Sequence, residues 1–325
     1  MPETTPILSR LRERGPAAGV GLGLAAVGRP GYINLGRAED LPDERPVDVM
    51  RERAHRLLDA AYEQGVRYFD AARSYGRAEE FLAGWLERNP GRAEDVVVGS
   101  KWGYTYTADW RVGADVNEVK DHHAATYTRQ LAKTRALLDG HLTSYQIHSL
   151  TLESPALTDP ELHALLGRLR ADGVTVGFST SGPRQAETVR AAMEIEVDGA
   201  PLFGSVQATC NLLEPSVAPA LAEAHDAGLA VIVKEAMANG RLAGAHAPQP
   251  LRRAAEEQGA APDALAIAAW LHRPWTDVVL SGAVTTGQLT ANLRATELSW
   301  DPTSLDGLAE PAADYWRTRA ALPWT

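Results

Sequence analysis

The chain has one cysteine in 325 residues, Cys210, so no disulfide can form within it. That thiol closes an apolar run and is expected to be buried. No apolar stretch approaches the length that spans a bilayer, and residues 1–15 lack the apolar core of a secretory signal. The expected setting is cytoplasmic, without membrane contact. Lysine and arginine (32) are outnumbered by aspartate and glutamate (42), and the net charge of −10 with no basic cluster excludes an extended nucleic-acid footprint. The one adjacent histidine pair, His122-His123, has no clustered ligands beside it; it reads as a solvated helix face, and no metal is expected. The early Gly19-Val20-Gly21-Leu22-Gly23 has neither the spacing nor the following helix of a glycine-rich dinucleotide turn, and reads as a small-residue first strand.

What the chain does have is a repeated unit. Eight short apolar runs fall at 19–24, 67–71, 96–101, 145–149, 175–179, 206–209, 230–234 and 278–281. Several lack polar alternation, as parallel strands buried on both faces do. Between them lie helical stripes such as Ala54, Leu57, Leu58, Ala61 and Tyr62, or Leu162, Leu165, Leu166 and Leu169. Gly65, Gly173 and Gly228 each follow a helix and precede a strand, where a left-handed residue costs glycine little. Asp159-Pro160 and Gly182-Pro183 read as helix starts. Eight alternating units predict an α/β fold, a single-domain (β/α)8 TIM barrel of parallel strands over residues 1–325. Rim loops are expected near 28–46 and 102–115, with a C-terminal tail from about 297.

Three consecutive runs end in ionisable groups: Asp70 and then Tyr75 after the second, Lys101 after the third, His148 after the fourth. Singly, each has an ordinary explanation: a turn residue, a packed ring, a snorkelling ammonium, a satisfied core histidine. In a parallel barrel, however, all strand ends meet at one rim, where active sites lie. A phenol with a solution pKa of about 10 needs a neighbour that favours phenolate, and a lysine supplies one. An ammonium in that mouth needs an anion, which Asp70 provides, and His148 can orient a carbonyl oxygen. The quartet is a proton donor without a nucleophile.

The segment Phe69-Asp70-Ala71-Ala72-Arg73-Ser74-Tyr75-Gly76 resembles the FDTA-x-x-YG signature of the aldo-keto reductases, with Ala71 where threonine is common. Lys101 and the histidine of Gln146-Ile147-His148 complete that family's tetrad in order. Weaker likenesses extend over nearly the whole chain, at 177–181, Val206-Gln207, Gly240-Arg241-Leu242, and Ser281-Gly282-Ala283 leading to Gln288 and Asn292. The resemblance implies an NADP(H)-dependent oxidoreductase that moves a hydride between nicotinamide and the carbonyl or alcohol carbon of a small aldehyde, ketone or sugar-like substrate, with Tyr75 as general acid and base. It implies cofactor contacts from Ser179, Gln207, Lys234, Gly240, Arg241, Gly282, Gln288 and Asn292, and NADP(H) in preference to NAD(H). Departures stand at Thr180, where asparagine is usual, and at Lys234, where an aromatic ring commonly stacks under nicotinamide. The lysine and arginine that often hold a 2′-phosphate are replaced by Gly282 and Gln288, leaving Arg241 or Arg294 to supply charge. Gln288 also fits a capping box opened by Thr285. Substrate contacts are expected from the rim loops, at Tyr32, Asn34, Trp102, Tyr104, Tyr106 and Trp110, and the tail with Tyr315, Trp316 and Trp324 is a candidate cover. Two other classes compete: a cofactor-binding regulatory or sensor subunit with slow turnover, and a hydrolase built on Asp70 and Glu153. The oligomeric state is open.

Overall fold

The structure, a computed structural model, describes residues 6–11, 14–33, 35, 40–41, 45–298 and 300–324; Asn34 and parts of the 28–46 loop lie outside the described residues. Its strands are β1 (Val20–Gly23), β2 (Tyr68–Asp70), β3 (Val97–Trp102), β4 (Tyr104–Tyr106), β5 (Glu118–Lys120), β6 (Leu142–Leu150), β7 (Thr175–Thr180), β8 (Glu196–Val197), β9 (Ala200–Pro201), β10 (Ser205–Thr209), β11 (Ala230–Lys234) and β12 (Val278–Ser281). In the order β1-β12-β11-β10-β7-β6-β3-β2, eight of them close into a parallel barrel. These are the eight apolar runs of the sequence.

Each barrel strand is sealed from water by helices packed outside it. In Val47–Glu63, residues Ala54, Leu57, Leu58 and Ala61 are buried and Tyr62 is half-buried; in Pro160–Ala171 the buried stripe is Leu162, Leu166 and Leu169. Each fully buried leucine contributes roughly 1.5–3 kcal/mol. The three predicted turn glycines, Gly65, Gly173 and Gly228, have φ of 93°, 87° and 93°. The Asp159 carboxylate caps the Glu161 and Leu162 N–H groups with Pro160 in the first turn, as expected. The second predicted start is displaced: the helix begins at Gln185, after Arg184, and Pro183 lies ahead of it.

Two features close the barrel's ends. At the strand starts, Ile7 and Leu11 of the helix Pro6–Leu11 join one buried cluster with Tyr68, Val97, Ile232 and Val278. At the strand ends, an antiparallel hairpin of β4 and β5 rises from the loop after β3, so the segment read as rim loop is partly strand. The tail reaches the same rim, where Trp324 bridges to Ile33.

Candidate active site

Asp70 ends β2, Lys101 and His148 lie near the ends of β3 and β6, and Tyr75 follows β2 on a tight turn. That turn is fixed by the Tyr75 N–H on the Ala72 carbonyl (3.0 Å) and the Arg77 N–H on the Gly28 carbonyl (2.7 Å). A Cβ on Gly28 would meet the Tyr75 carbonyl oxygen at 2.5 Å, so only glycine lets the first rim loop approach this closely.

The four side chains converge. The Lys101 ammonium is 2.5 Å from Asp70 Oδ2, 3.1 Å from the Ala71 carbonyl and 3.5 Å from Tyr75 Oη, which uses its three donors. The other Asp70 oxygen accepts from Gln207 Nε2 at 3.0 Å. The His148 ring meets the Tyr75 ring edge-on at 5.4 Å, and its Nδ1 is 3.5 Å from Ser74 Oγ. Burial, aided by Lys101, Lys234 and Arg29, holds the His148 imidazole well below its ordinary value, so it is neutral near pH 7.

One electrostatic expectation is corrected. Burial, and then the Asp70 charge, hold the Tyr75 phenol well above 10 rather than lowering it; the cation pulling it down is Arg29. Lys101 is already paired with Asp70, so its proximity to the phenol does not translate into acidity. Tyr75 is thus held protonated.

Asp70, Tyr75, His148 and Gln207 face a cavity of about 360 Å³, together with Tyr32 and Lys234. Its outer wall joins Tyr32, Tyr104 and Trp324, expected at the rim, to Arg29, Glu235 and Arg319, which no local pattern marks. The Arg29 guanidinium lies 5.2 Å from the Tyr32 and Tyr75 rings and 4.7 Å from Trp324, and donates to Ser74 O and Glu118 Oε2, both at 2.9 Å. Tyr104 sets its ring 5.1 Å from His148. Glu235 takes both arms of Arg319, from the helix Ala312–Ala320, and the Thr209 hydroxyl at 3.1 Å. The alternation in Tyr104-Thr105-Tyr106 was the available signal for β4; nothing local announced Arg319.

A second cavity, of about 200 Å³, shares Met237, Gly240 and Gly282 with the first and adds Asp40, Asp263, Gln288 and Asn292. Together they make a trough along the rim. Asn292 Nδ2 donates to Ser281 Oγ (2.9 Å), while its buried Oδ1 has no partner among the described residues. The Thr285–Gln288 capping box is present, and Gln288 Nε2 also donates to Asp40 at 2.6 Å. Ser179 is fully buried, its Oγ accepting from the Ser149 N–H at 2.8 Å. Thr180 donates to Gln185. Arg241 is held by Glu310 and lies 5.6 Å from the Tyr315 ring, and Arg294 pairs with Glu297 at the surface.

Three residues expected to touch substrate, Trp102, Tyr106 and Trp110, do not line the cavity. Trp102 is fully buried between β3 and the helix Ala124–Leu138, 5.1 Å from the Tyr127 ring, because alternate residues of a strand face opposite ways and Lys101 takes the inward position. Trp110 leaves the cavity too; its Nε1 donates to the Arg45 carbonyl (2.7 Å) and its ring packs on Phe81, pinning the loop. Nor is His122 solvated: it is 3 % exposed, between Ser154 Oγ at 2.7 Å and the His148 carbonyl at 2.8 Å. Burial brings its imidazole down to about 4. Cys210 is buried as expected. Glu153 pairs with Arg184 at the surface and does not line the cavity with Asp70. Among the described residues, no three His, Cys, Asp or Glu side chains are grouped to hold a metal, and no helix is long and apolar enough to cross a membrane.

A parallel eight-stranded barrel carrying an Asp, Tyr, Lys and His quartet at its C-terminal rim defines a class of carbonyl-handling enzymes, and sequence comparison agrees. The family model described as the aldo/keto reductase family matches residues 41–310, and the chain belongs to that family. It is similar to norsolorinic acid reductase B of Aspergillus parasiticus, 28 % identical over 180 residues (53 % of this chain, 43 % of that one), and to aldo-keto reductase str7 of Strobilurus tenacellus, 30 % identical over 108 residues (33 % and 27 %). The matches thus span less than half the length of those relatives. Among solved structures, the aldo-keto reductase AKR11C1 of Bacillus halodurans shares the fold, with a TM-score of 0.65 at 19 % identity over 93 % of this chain and 91 % of that one. The family is one of nicotinamide-dependent oxidoreductases acting on small carbonyl compounds.

Proposed function

We propose that this chain reduces the carbonyl group of a small aldehyde, ketone or sugar-like compound, with Tyr75 as the proton donor. The observation that carries the reading is the Tyr75 hydroxyl, 3.5 Å from the Lys101 ammonium in the cavity that also holds neutral His148. A bound nicotinamide dinucleotide supplies the hydride. The chain's residues do the rest: His148 donates a hydrogen bond that orients the carbonyl oxygen, and Tyr75 Oη passes its proton to that oxygen as alkoxide forms. Lys101 can donate a hydrogen bond to the oxygen left behind, and Arg29 supplies the charge that favours it there. Burial holds the phenol protonated, so its proton is in place for the carbonyl oxygen.

The trough fits an extended dinucleotide. Gly240 and Gly282 lie where the two cavities join, and the unpartnered Asn292 Oδ1 suits an exocyclic amine such as that of adenine. The expectation of NADP(H) rests on the resemblance at Gly282. Against it, the described lining of the smaller cavity carries Asp40 and Asp263 and no lysine or arginine, a poor seat for a 2′-phosphate. Fluorescence titration with NADPH and NADH decides the preference.

The reaction is tested by following reduced nicotinamide absorbance with a panel of aldehydes, ketones and sugars. Turnover in the parent that falls at least 100-fold in Tyr75→Phe, with dinucleotide affinity retained, supports the reading. Tight dinucleotide binding without turnover would replace it with the sensor subunit.

A further inference from the structure

Among the described residues, the charges in and beside the large cavity pair off, with one left over. Asp70 is matched by Lys101, Glu118 by Arg29, and Glu235 by both arms of Arg319. Lys234 is the remaining cation. It ends β11, opposite Thr209 of β10, and among the described residues its ammonium has one close acceptor, Thr209 Oγ1 at 2.6 Å; Glu235 Oε1 is 4.0 Å away and already engaged. An ammonium carries three donors, and this one, 15 % exposed at the cavity wall, has two left to face an incoming anion.

The position of this surplus charge narrows what that anion belongs to. Lys234 lines the large cavity with Tyr75 and His148 and is not among the residues lining the smaller cavity. Its charge is felt at His148, and the charges of Lys101 and Asp70 are felt at Lys234. An aromatic ring at this place would offer an apolar face; a lysine offers a point charge that accepts a carboxylate or phosphate in many orientations. Burial lowers the Lys234 ammonium to about 8, so its charge is present at neutral pH and is lost in mildly alkaline solution.

We propose that Lys234 is the seat for an anionic group, a carboxylate or phosphate, carried by the carbonyl substrate itself, so that the preferred substrates are aldehyde or keto acids or their phosphate counterparts. This rests on the carbonyl-reductase reading above. The same oxygen chemistry occurs on the diphosphate of a dinucleotide, so the test must separate the two sources.

The experiment compares 4-carboxybenzaldehyde with its neutral amide, 4-formylbenzamide, in the parent, Lys234→Met and Lys234→Arg. Dinucleotide affinity is measured on the same proteins by fluorescence quenching. In the parent, kcat/KM is expected to favour the carboxylated aldehyde at least tenfold, the preference fading as pH rises through about 8. Lys234→Met is expected to cut that ratio at least tenfold through KM, with dinucleotide affinity moving less than threefold, and Lys234→Arg to keep most of it. An unchanged ratio in Lys234→Met overturns the proposal. So does a loss confined to dinucleotide affinity, which assigns the lysine to the diphosphate. If the parent reduces neither aldehyde, the enzyme reading is decided separately by the wider panel above, and calorimetry with terephthalate still decides the anion seat: binding in the parent that is lost in Lys234→Met upholds it, and no binding in the parent refutes it.

Discussion

Lys101 and Asp70 are joined at 2.5 Å with both side chains essentially out of water, 0 % and 3 % exposed. A buried pair of this kind is not a large net stabiliser, but removing one partner strands the other charge. Lys101→Met is therefore expected to destabilise the fold by about 3–5 kcal/mol in urea unfolding. The double variant with Asp70→Asn should recover most of that loss while staying poorly active, because the hydrogen-bond donor at Tyr75 Oη would be gone. Failure of the double variant to recover stability would mean that the pair is not the source of the loss.

Gly28→Ala is expected to lower turnover about 100-fold, since displacing a reacting group by about 1 Å costs that much. The new methyl group would press on the Tyr75 carbonyl and on Ala78. Dinucleotide affinity should shift far less. Equal loss of both would point to a general disturbance of the rim.

Trp102→Ala should act on stability rather than on substrate choice. Emptying a fully buried indole site costs about 3–5 kcal/mol. KM values measured at low temperature, where the variant is still folded, should stay near those of the parent. A stable variant with altered KM would return Trp102 to the pocket.

Acid should weaken the molecule through Glu235. Burial alone would raise its carboxyl, but Arg319 and Lys234 outweigh burial and bring it down to about 2 from the ordinary 4.5. A depressed carboxylate contributes stability that is full above the unfolded value and is lost as pH falls from about 4.5 to about 2. Arg319→Met should move that loss upward by roughly one pH unit in acid-unfolding curves, a shift set by the lost carboxylate partner. Superimposable curves would argue that the pair is solvated.

Much of this was readable from residue order. The eight runs carried the barrel because parallel strands buried on both faces leave unbroken apolar segments. The quartet was legible because each member closes a run. What escaped notice depended on direction and distance. Lys101 and Trp102 are neighbours in sequence, yet the pleat sends one into the cavity and the other into the helical layer. His122 sits in a polar stretch beside exposed His123, and its burial comes from Ser154 and the His148 carbonyl, far along the chain. Arg319 finds Glu235 across 84 residues, a partnership that no local pattern encodes.

The stopper formed by Ile7 and Leu11 has a kinetic corollary. With the strand-start end filled by side chains, traffic to the quartet passes through the opposite rim. Two molecules that must both reach that pocket through one doorway queue, the deeper-seated arriving first and departing last. On the proposed reading, ordered exchange, with the long dinucleotide as first in and last out, is the expected pattern for such a dead-end vessel.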